Sequence, residues 1–211
     1  MTKIVIVDDH AIVRKGLREI LADSPDLVVA AECSTGQDLL GLIEHEEFDL
    51  VLLDISMPGR NGLDILKQLK SSKPHLSVLI LTMHPEEQYA IRALKSGANG
   101  YITKESAPDE LVTAVRKVSG GGRYVSSLLA EKIAFSVMDH GGRPPHELLS
   151  DREYQVLCMI ASGKTVSGIA EELSLSAKTI STYRVRLLKK MHLKNNAELA
   201  SYAIRNGLVN L

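Results

Sequence analysis

Three aspartates follow apolar runs in the N-terminal part of the sequence, where carboxylates can do chemistry. Asp8 and Asp9 come directly after the run at residues 4–7, and Asp54 comes after the run at residues 50–53. Ionised carboxylates are costly to bury, so each is expected at the exposed end of a core strand. Carboxylates that share one edge of a parallel sheet repel each other unless a cation joins them, and an all-oxygen site of this kind suits Mg²⁺ and phosphate oxygens. The pattern therefore predicts phosphoryl chemistry at Asp54.

Five strand-like segments alternate with helical periodicities over the first 120 residues and would position these carboxylates. The strand candidates are residues 4–7, 28–31, 50–54, 78–81 and 100–102. The first helical periodicity has its apolar residues at Ile12, Val13, Leu17, Ile20 and Leu21. This alternation predicts an α/β domain in which a parallel sheet carries helices on both faces.

Two more polar residues are expected at the same edge of the sheet. Thr82 follows the fourth strand and Lys104 the fifth, so a hydroxyl and an ammonium join Asp8, Asp9 and Asp54. These five residues define what we call the acidic edge. A single polar residue at a strand end is more often a solvated loop residue. Five chemically compatible ones favour a functional site over that interpretation.

Composition and charge limit the classes of protein that fit. The 211 residues are 45% hydrophobic and 24% charged, which is typical of a globular chain with one large or two small domains. Residues 1–122 carry 13 Lys and Arg against 18 Asp and Glu, whereas residues 148–211 carry 9 against 5, so the C-terminal part is the one that could meet a polyanion. Neither a signal peptide nor an apolar run of about 18 residues is found, and Cys33 and Cys158 have no metal or redox spacing. We therefore expect a cytoplasmic protein that does not contact a membrane.

The pattern becomes wholly helical from Leu148 onward. Ser150 and Glu153 have the spacing of a capping box, which predicts the start of the first of four helices. A three-residue turn at residues 174–176 separates the second helix from the third. A short turn in this position is typical of a helix-turn-helix.

The third of these helices, at about residues 177–191, has a basic face. Between Glu172 and Glu198 there are six Lys or Arg and no acidic residue. A charged helix face is usually only solvated, but charge of one sign favours a polyanion. The candidates for contacts with base edges of double-stranded DNA are Lys178, Ser181, Thr182 and Val185. The candidates for phosphate contacts are Thr179, Arg184, Arg186, Lys189 and Lys190.

These motifs resemble a known family. Residues 1–122 resemble the receiver domain of two-component response regulators, which has a flavodoxin-like (βα)5 fold. Residues 148–211 resemble a LuxR-type helix-turn-helix domain, which is an all-α bundle of four helices. The glycines at 120–122 separate the first domain from residues 123–147, which we interpret as a linker with one amphipathic helix at 127–138. Together the parts resemble the NarL/FixJ class, which implies a DNA-binding transcriptional regulator controlled by phosphorylation.

The resemblance implies a role for each carboxylate. Asp54 is the expected phosphoacceptor, and a partner sensor histidine kinase is the expected donor. Asp9 and Asp54 would bind Mg²⁺ directly, Asp8 would bind it through water, and Ser56 would bind it through its backbone carbonyl. Nothing in the sequence suggests fast turnover on a diffusing substrate, so we expect no enzymatic activity beyond slow autodephosphorylation.

The resemblance also implies how phosphorylation is transmitted. Lys104 and Thr82 would contact phosphoryl oxygens. Movement of Thr82 toward the phosphoryl group would leave space for Tyr101 to turn inward, which shifts the population between two packings. The phosphorylated chain is expected to form a homodimer that binds promoter half-sites.

Three other classes of protein share parts of this pattern. An enzyme of the haloacid dehalogenase type also uses a nucleophilic aspartate on a parallel sheet. That family has an Asp-x-Asp motif, however, and here Ser56 occupies the position of the second aspartate. A nucleotide-binding enzyme has little support because the turn after Asp9 lacks the glycines that admit a pyrophosphate. A small-molecule sensor with the same DNA-binding end is the third alternative. In such a protein the presence of all five residues of the acidic edge would be a coincidence.

Overall fold

The structure is a computed structural model that describes residues 1–58, 60–127, 129–131, 133 and 144–209. The chain divides into two compact units, Met1–Ser136 and Val137–Leu211. Of the linker helix predicted at 127–138, residues 127, 129–131 and 133 are helical, and residues 128, 132 and 134–138 lie outside the described part. Among the described residues, no helix is both long enough and apolar enough to cross a bilayer.

The first unit is built on a parallel sheet, in which the described residues form five strands. The strands are β1 (Thr2–Val7), β2 (Leu27–Cys33), β3 (Leu50–Leu53), β4 (Ser77–Thr82) and β5 (Gly100–Thr103). Their order across the sheet is β2-β1-β3-β4-β5. All five predicted strands are confirmed. The central strands β3 and β4 are buried along their whole length, as expected for apolar runs covered on both faces.

One α-helix follows each strand, which confirms the predicted α/β, flavodoxin-like architecture. The helices are α1 (Ala11–Ala22), α2 (Gly36–His45), α3 (Gly62–Ser72), α4 (Glu86–Lys95) and α5 (Ala107–Ser119). The Thr35 hydroxyl accepts a hydrogen bond from the Asp38 N–H, and Asn61 Oδ1 accepts one from the Leu63 N–H. These caps satisfy backbone donors at the starts of α2 and α3 that have no partner within the helix.

Helices α1 and α5 pack against one face of the sheet. Leu17 and Leu21 from α1 share a hydrophobic cluster with Leu111 and Val115 from α5. Ile12 was predicted on the same apolar face of α1, and that prediction is wrong, because 82% of Ile12 is exposed. Residues 13, 17, 20 and 21 define the buried face at helical spacing, and position 12 lies about 100° around the helix from position 13.

The chain continues alongside the sheet after α5. The Tyr101 N–H donates to the Tyr124 carbonyl at 3.0 Å, and the Tyr124 N–H donates to the Asn99 carbonyl at 3.0 Å. An isolated parallel bridge joins Gly100 to Tyr124. This close approach requires a glycine, since a Cβ on Gly100 would lie 2.8 Å from the Tyr124 carbonyl oxygen. Tyr124, which the sequence analysis assigned to the linker, therefore pairs with the sheet, and the extent of the linker stays a prediction.

Within residues 144–209 the second unit contains a short 3-10 helix (Pro145–Leu148) and four α-helices. These are α6 (Asp151–Ala161), α7 (Val166–Glu172), α8 (Ala177–Lys190) and α9 (Asn196–Arg205). Each α-helix begins at a polar residue whose side chain accepts a backbone N–H from three residues further on: Ser150, Thr165, Ser176 and Asn195. The predicted capping box of Ser150 and Glu153 is present, and the four predicted helices are confirmed.

The turn between α7 and α8 gives this unit its helix-turn-helix form. Ser174 adopts a left-handed conformation with φ of 52°, which reverses the chain directly after α7. Ile169 of α7 and Ile180 of α8 are both completely buried. The opposite side of α8 faces solvent, as the residues described below show.

Candidate functional site

The carboxylates predicted at the acidic edge do lie together. Strands β1 and β3 are parallel neighbours with Val7 opposite Leu53, so the residues that follow them meet. The Asp54 N–H donates to the Val7 carbonyl at 2.9 Å, which fixes the end of β3 against the end of β1. Asp8 and Asp54 are only 1% and 2% exposed, and Asp9 is half-buried. Burial of two carboxylates at one edge requires a compensating cation.

Lys104 supplies that cation. Its Nζ lies 2.5 Å from Asp8 Oδ2 and 2.6 Å from Asp54 Oδ2, and its side chain is 8% exposed. Burial alone would lower the pKa of Lys104, but the negative charges of Asp54 and Asp8 outweigh burial and raise this pKa above the ordinary lysine value. The ammonium therefore remains charged and offsets part of the repulsion between the carboxylates.

Two carboxylate oxygens at this edge fit the requirements of a metal ligand. Asp8 Oδ2 and Asp9 Oδ1 are buried, and neither accepts a well-aligned hydrogen bond from the described residues. Their close neighbours are the Lys104 ammonium and His10 Nδ1, which lies 3.0 Å from Asp9 Oδ1. The possible ligand atoms of Asp8, Asp9 and His10 all lie within 4.8 Å of one another. Oxygens of this kind suit a hard divalent cation such as Mg²⁺.

Thr82 and Tyr101 lie beside the loop that follows Asp54. The Ser56 N–H donates to Asp54 Oδ1 at 2.9 Å, and Ser56 Oγ lies 3.2 Å from Thr82 Oγ1. Thr82 is completely buried. Tyr101 is also completely buried, and its hydroxyl donates to the His84 carbonyl at 2.9 Å. Tyr101 thus already has the inward position that the resemblance associates with phosphorylation.

Arg14 and His10 make contacts at this edge that sequence reasoning missed. Arg14 Nη1 donates to the Asp8 carbonyl at 2.7 Å, and its Nε donates to Glu32 Oε2 at 3.2 Å. The His10 N–H donates to Asp8 Oδ1 at 2.9 Å. The sequence position of His10, directly after Asp9, was a signal for its involvement. The contact of Arg14 depends on how α1 docks beside β2, for which the sequence offered no signal.

The loop after Asp54 packs tightly against the start of α3. The Gly62 N–H donates to the Ile55 carbonyl at 3.3 Å. A Cβ on Gly62 would lie 2.4 Å from Ile55 Cα and 2.6 Å from the Asp54 carbonyl oxygen. The backbone atoms of residues 54 and 55 therefore leave room only for glycine, and this packing fixes the backbone that carries Asp54.

Most of the predicted DNA contacts are exposed on α8. The exposed ones are Lys178, Ser181, Thr182, Val185, Arg186, Lys189 and Lys190. Val185 is 61% exposed, so its methyl groups are accessible for contact with a base. Thr179 and Arg184 are half-buried, and Arg184 Nε donates to Asn196 Oδ1 at 2.6 Å. The exposed side of α8 thus carries short side chains that can reach base edges and basic side chains that can contact phosphates, as DNA recognition requires.

Lys190 differs from its neighbours because its ammonium contacts a buried acid. Lys190 Nζ lies 2.6 Å from Glu153 Oε2, and Glu153 is 3% exposed. Burial would raise the pKa of Glu153, but the hydrogen bonds from Lys190 and Ser150 outweigh it and lower this pKa. The sequence predicted the capping-box role of Glu153 but not its contact with Lys190.

A cleft of about 720 Å³ lies elsewhere on the first unit, at the amino ends of the strands. Its lining includes both acids and bases, such as Glu47, Asp49 and Lys73. Its charges are mixed, and none of the residues of the acidic edge lines it. We therefore assign the chemistry to the acidic edge.

A receiver domain joined to a helix-turn-helix domain is the class of protein that this fold and these sites define, and comparison with known families agrees. Residues 4–116 match the family described as the response regulator receiver domain. Residues 147–203 match the family described as bacterial regulatory proteins, luxR family. The chain therefore belongs to the two-component response regulators of the NarL/FixJ class.

Individual relatives match over almost their whole length. The response regulator UvrY of Escherichia coli K12 is 38% identical over 211 residues, which cover 100% of this chain and 97% of UvrY. The structure of RcsB from Salmonella enterica serovar Typhimurium, bound to promoter rprA in the presence of phosphomimetic BeF3⁻, has a TM-score of 0.66 and 30% identity, covering 96% of this chain and 98% of RcsB. A structure of two RcsB dimers bound to two parallel DNAs has a TM-score of 0.60 and 26% identity, covering 99% of each chain.

Family membership also bears on the alternative functions. The matched families consist of regulators rather than enzymes. The haloacid dehalogenase type and the nucleotide-binding enzyme therefore receive no support. A small-molecule sensor is disfavoured too, because the N-terminal part of the chain is a receiver domain.

Proposed function

We propose that Asp54 is the phosphoacceptor of this response regulator and that a sensor histidine kinase supplies the phosphoryl group as a phosphohistidine. The observation that carries the proposal is the pair of contacts from Lys104 Nζ to the carboxylates of Asp8 and Asp54. An Asp54 oxygen forms the new O–P bond while the P–N bond breaks, and the electron pair of that bond stays on the histidine nitrogen. The chain is not an enzyme, apart from slow autodephosphorylation.

The residues at the acidic edge would hold Mg²⁺ in a defined way. Asp9 and Asp54 would bind it directly, Asp8 through water and Ser56 through its backbone carbonyl. The buried oxygens of Asp8 and Asp9 that lack aligned donors support this set. When bound, the ion would offset the negative charge of the carboxylates and of the incoming phosphoryl oxygens.

Lys104 and Thr82 would bind the transferred group. The Lys104 ammonium is already 2.6 Å from Asp54 Oδ2, so a small movement would bring it to a phosphoryl oxygen. The Thr82 hydroxyl, 3.2 Å from Ser56 Oγ, would donate to another. The buried position of Tyr101 would then be stabilised, because Thr82 moves away from it toward the phosphoryl group. Phosphorylation would thereby shift the surface near β4 and β5.

The second unit would bind DNA through α8. RcsB, which is similar over almost its whole length, has been described as dimers bound to DNA and as bound to a promoter in the presence of phosphomimetic BeF3⁻. These descriptions support DNA binding by a phosphorylation-dependent homodimer here. Apart from Lys190, whose ammonium lies 2.6 Å from Glu153 Oε2, the exposed residues of α8 would contact base edges and phosphates as predicted from the sequence. We assign the receiver to residues 1–122, the linker to 123–147 and the DNA-binding domain to 148–211, and the DNA-binding domain supports a cytoplasmic location.

Replacement of the proposed acceptor tests the function. After incubation with Mg²⁺ and acetyl phosphate, intact mass spectrometry should detect one added phosphoryl group on the wild type, which mild base removes. Asp54→Asn keeps the size of the side chain and one of its two acceptor oxygens but removes the nucleophilic carboxylate, so its mass should not change. Asp23→Asn is a matched control, since Asp23 is exposed at the far end of α1. A base-labile phosphoryl group retained on Asp54→Asn would move the acceptor to another residue.

A further inference from the structure

One carboxylate oxygen ties the last turn of α8 to the start of α6. Glu153 Oε2 accepts the Ser150 N–H at 2.9 Å and also lies 2.6 Å from Lys190 Nζ. The Glu153 side chain is 4% exposed, whereas the Lys190 side chain is 45% exposed. The capping box holds Glu153 in place, so Glu153 is a fixed anchor for the end of α8.

This anchor separates Lys190 from its neighbour Lys189. Both are basic residues in the last turn of α8, and both were predicted to contact phosphates. Among the described residues Lys189 makes no ion pair, so its ammonium is available to DNA. Lys190 would have to leave Glu153 to reach a phosphate, and a buried carboxylate without its partner is strongly unfavourable.

The position of α8 matters more for base contacts than for phosphate contacts. Lysine and arginine side chains are long and flexible, so they adjust to a small tilt of the helix. The side chains of Ser181, Thr182 and Val185 are short, so the same tilt removes them from the base edges. An anchor at the end of α8 therefore affects discrimination between sequences more than overall attraction to DNA.

We propose that Lys190 is a positioning residue, which orients α8 through Glu153 so that its short side chains meet the bases, and that Lys190 does not itself contact a phosphate. The proposal rests on the proposed function of the second unit in DNA binding. It assigns to Lys190 a role in specificity that its neighbour Lys189 does not share.

The test compares Lys190→Met with Lys189→Met in the full-length chain. The probes are the duplex that the wild-type chain enriches from a random-sequence library and a duplex of unselected sequence. Lys190→Met should weaken binding to the enriched duplex by about tenfold and leave the slope of log affinity against log salt unchanged. Lys189→Met should weaken binding to both duplexes and reduce that slope by about one.

Two further variants separate positioning from simple stabilisation. Glu153→Gln can still accept the Ser150 N–H, and residue 153 is buried on α6, so it cannot contact DNA itself. A lower ratio of enriched to unselected binding in this variant therefore indicates a change in α8. Glu153→Gln should reproduce the loss seen with Lys190→Met, and Lys190→Arg should restore the wild-type ratio. Affinities are measured below the thermal unfolding transition of every variant. If the ion pair only stabilises the fold, its removal will lower the transition temperature without changing the ratio, and that result would overturn the proposal.

The remaining outcomes are also decisive. If Lys190→Met reduces the salt slope by about one, as Lys189→Met does, Lys190 is a phosphate contact and the proposal is wrong. If Lys190→Met does not fold, the ratios of Glu153→Gln and Lys190→Arg decide the question. A wild-type chain that enriches no sequence would overturn the proposed DNA-binding function, and this inference with it.

Discussion

Lys104 controls the balance of charge at the acidic edge. Its ammonium contacts the buried carboxylates of Asp8 and Asp54. Because these carboxylates raise its pKa, the folded protein holds this proton more tightly than the unfolded chain does. The resulting stabilisation is fully present below the ordinary lysine pKa of 10.5 and is lost as the pH rises through the raised pKa of the folded state.

Lys104→Met should remove this contribution. We expect the free energy of unfolding at neutral pH to fall by about 3–5 kcal/mol, since two buried carboxylates lose their cation. In the wild type, deprotonation of Lys104 lowers the free energy of unfolding at alkaline pH, and the variant should lack this part of the decline. Urea unfolding followed by circular dichroism at a series of pH values measures both effects. Lys15→Met, at an exposed position on α1, is the control, and variant and wild-type curves that stay parallel above pH 10.5 would contradict this assignment.

Residue types at the acidic edge could be predicted from the sequence, because strand ends in a parallel sheet share an edge and carboxylates avoid the core. Individual side-chain partners could not. Arg14 reaches the Asp8 carbonyl, and Lys190 reaches Glu153, only because particular helices dock at particular angles. Spacing along one helix contains no information about such contacts.

The start of α3 shows how an element positions a site. Gly62 is the first residue of this helix, and the backbone of Asp54 and Ile55 lies directly against it. The sequence analysis predicted the helix and the strands because their apolar periodicities are regular. It misplaced Ile12, since an apolar residue in the first turn of α1 extends the pattern without facing the sheet.

Gly62→Ala should displace the loop that carries Asp54. We expect a loss of about 1–3 kcal/mol in the free energy of unfolding, because the added Cβ meets backbone atoms that cannot move independently. Phosphorylation by acetyl phosphate should also slow. Gly41→Ala in α2 is a matched control: a Cβ there has no neighbour within 4 Å, and the variant should gain about 0.5–1 kcal/mol. Equal stability of the two variants, measured by thermal unfolding, would argue against tight packing at Gly62.

At the scale of the whole molecule, the two parts of the chain differ in the sign of their net charge, which suits them to different partners. The receiver part is net acidic and the helix-turn-helix part is net basic, and this division could be read from the sequence because it follows from composition alone. The change from alternating strands and helices to a wholly helical pattern likewise predicted an α/β part followed by a helix-turn-helix part. The motif residues within these parts carried the resemblance to the two families that the chain matches.

Phosphorylation should convert the chain from monomer to dimer. A helix-turn-helix protein gains affinity and specificity when two copies bind two half-sites, so a phosphorylation-controlled regulator benefits if dimerisation depends on the acceptor. Sedimentation velocity with Mg²⁺, with and without acetyl phosphate, should detect this shift in the wild type and not in Asp54→Asn. If Asp54→Asn dimerised to the same extent, dimerisation would not depend on phosphorylation of Asp54 and the prediction would be wrong.

The pairing of Tyr124 with Gly100 and Tyr101 bears on how the receiver is best produced by itself. In the described chain β5 is an outermost strand, and Tyr124 occupies its otherwise open side. A fragment that stops at Gly122 would leave backbone donors and acceptors of β5 bare, and bare strands recruit further molecules into aggregates. A fragment that extends through Ser127 would keep its own cover and stay dispersed at the concentrations that NMR or crystallisation needs.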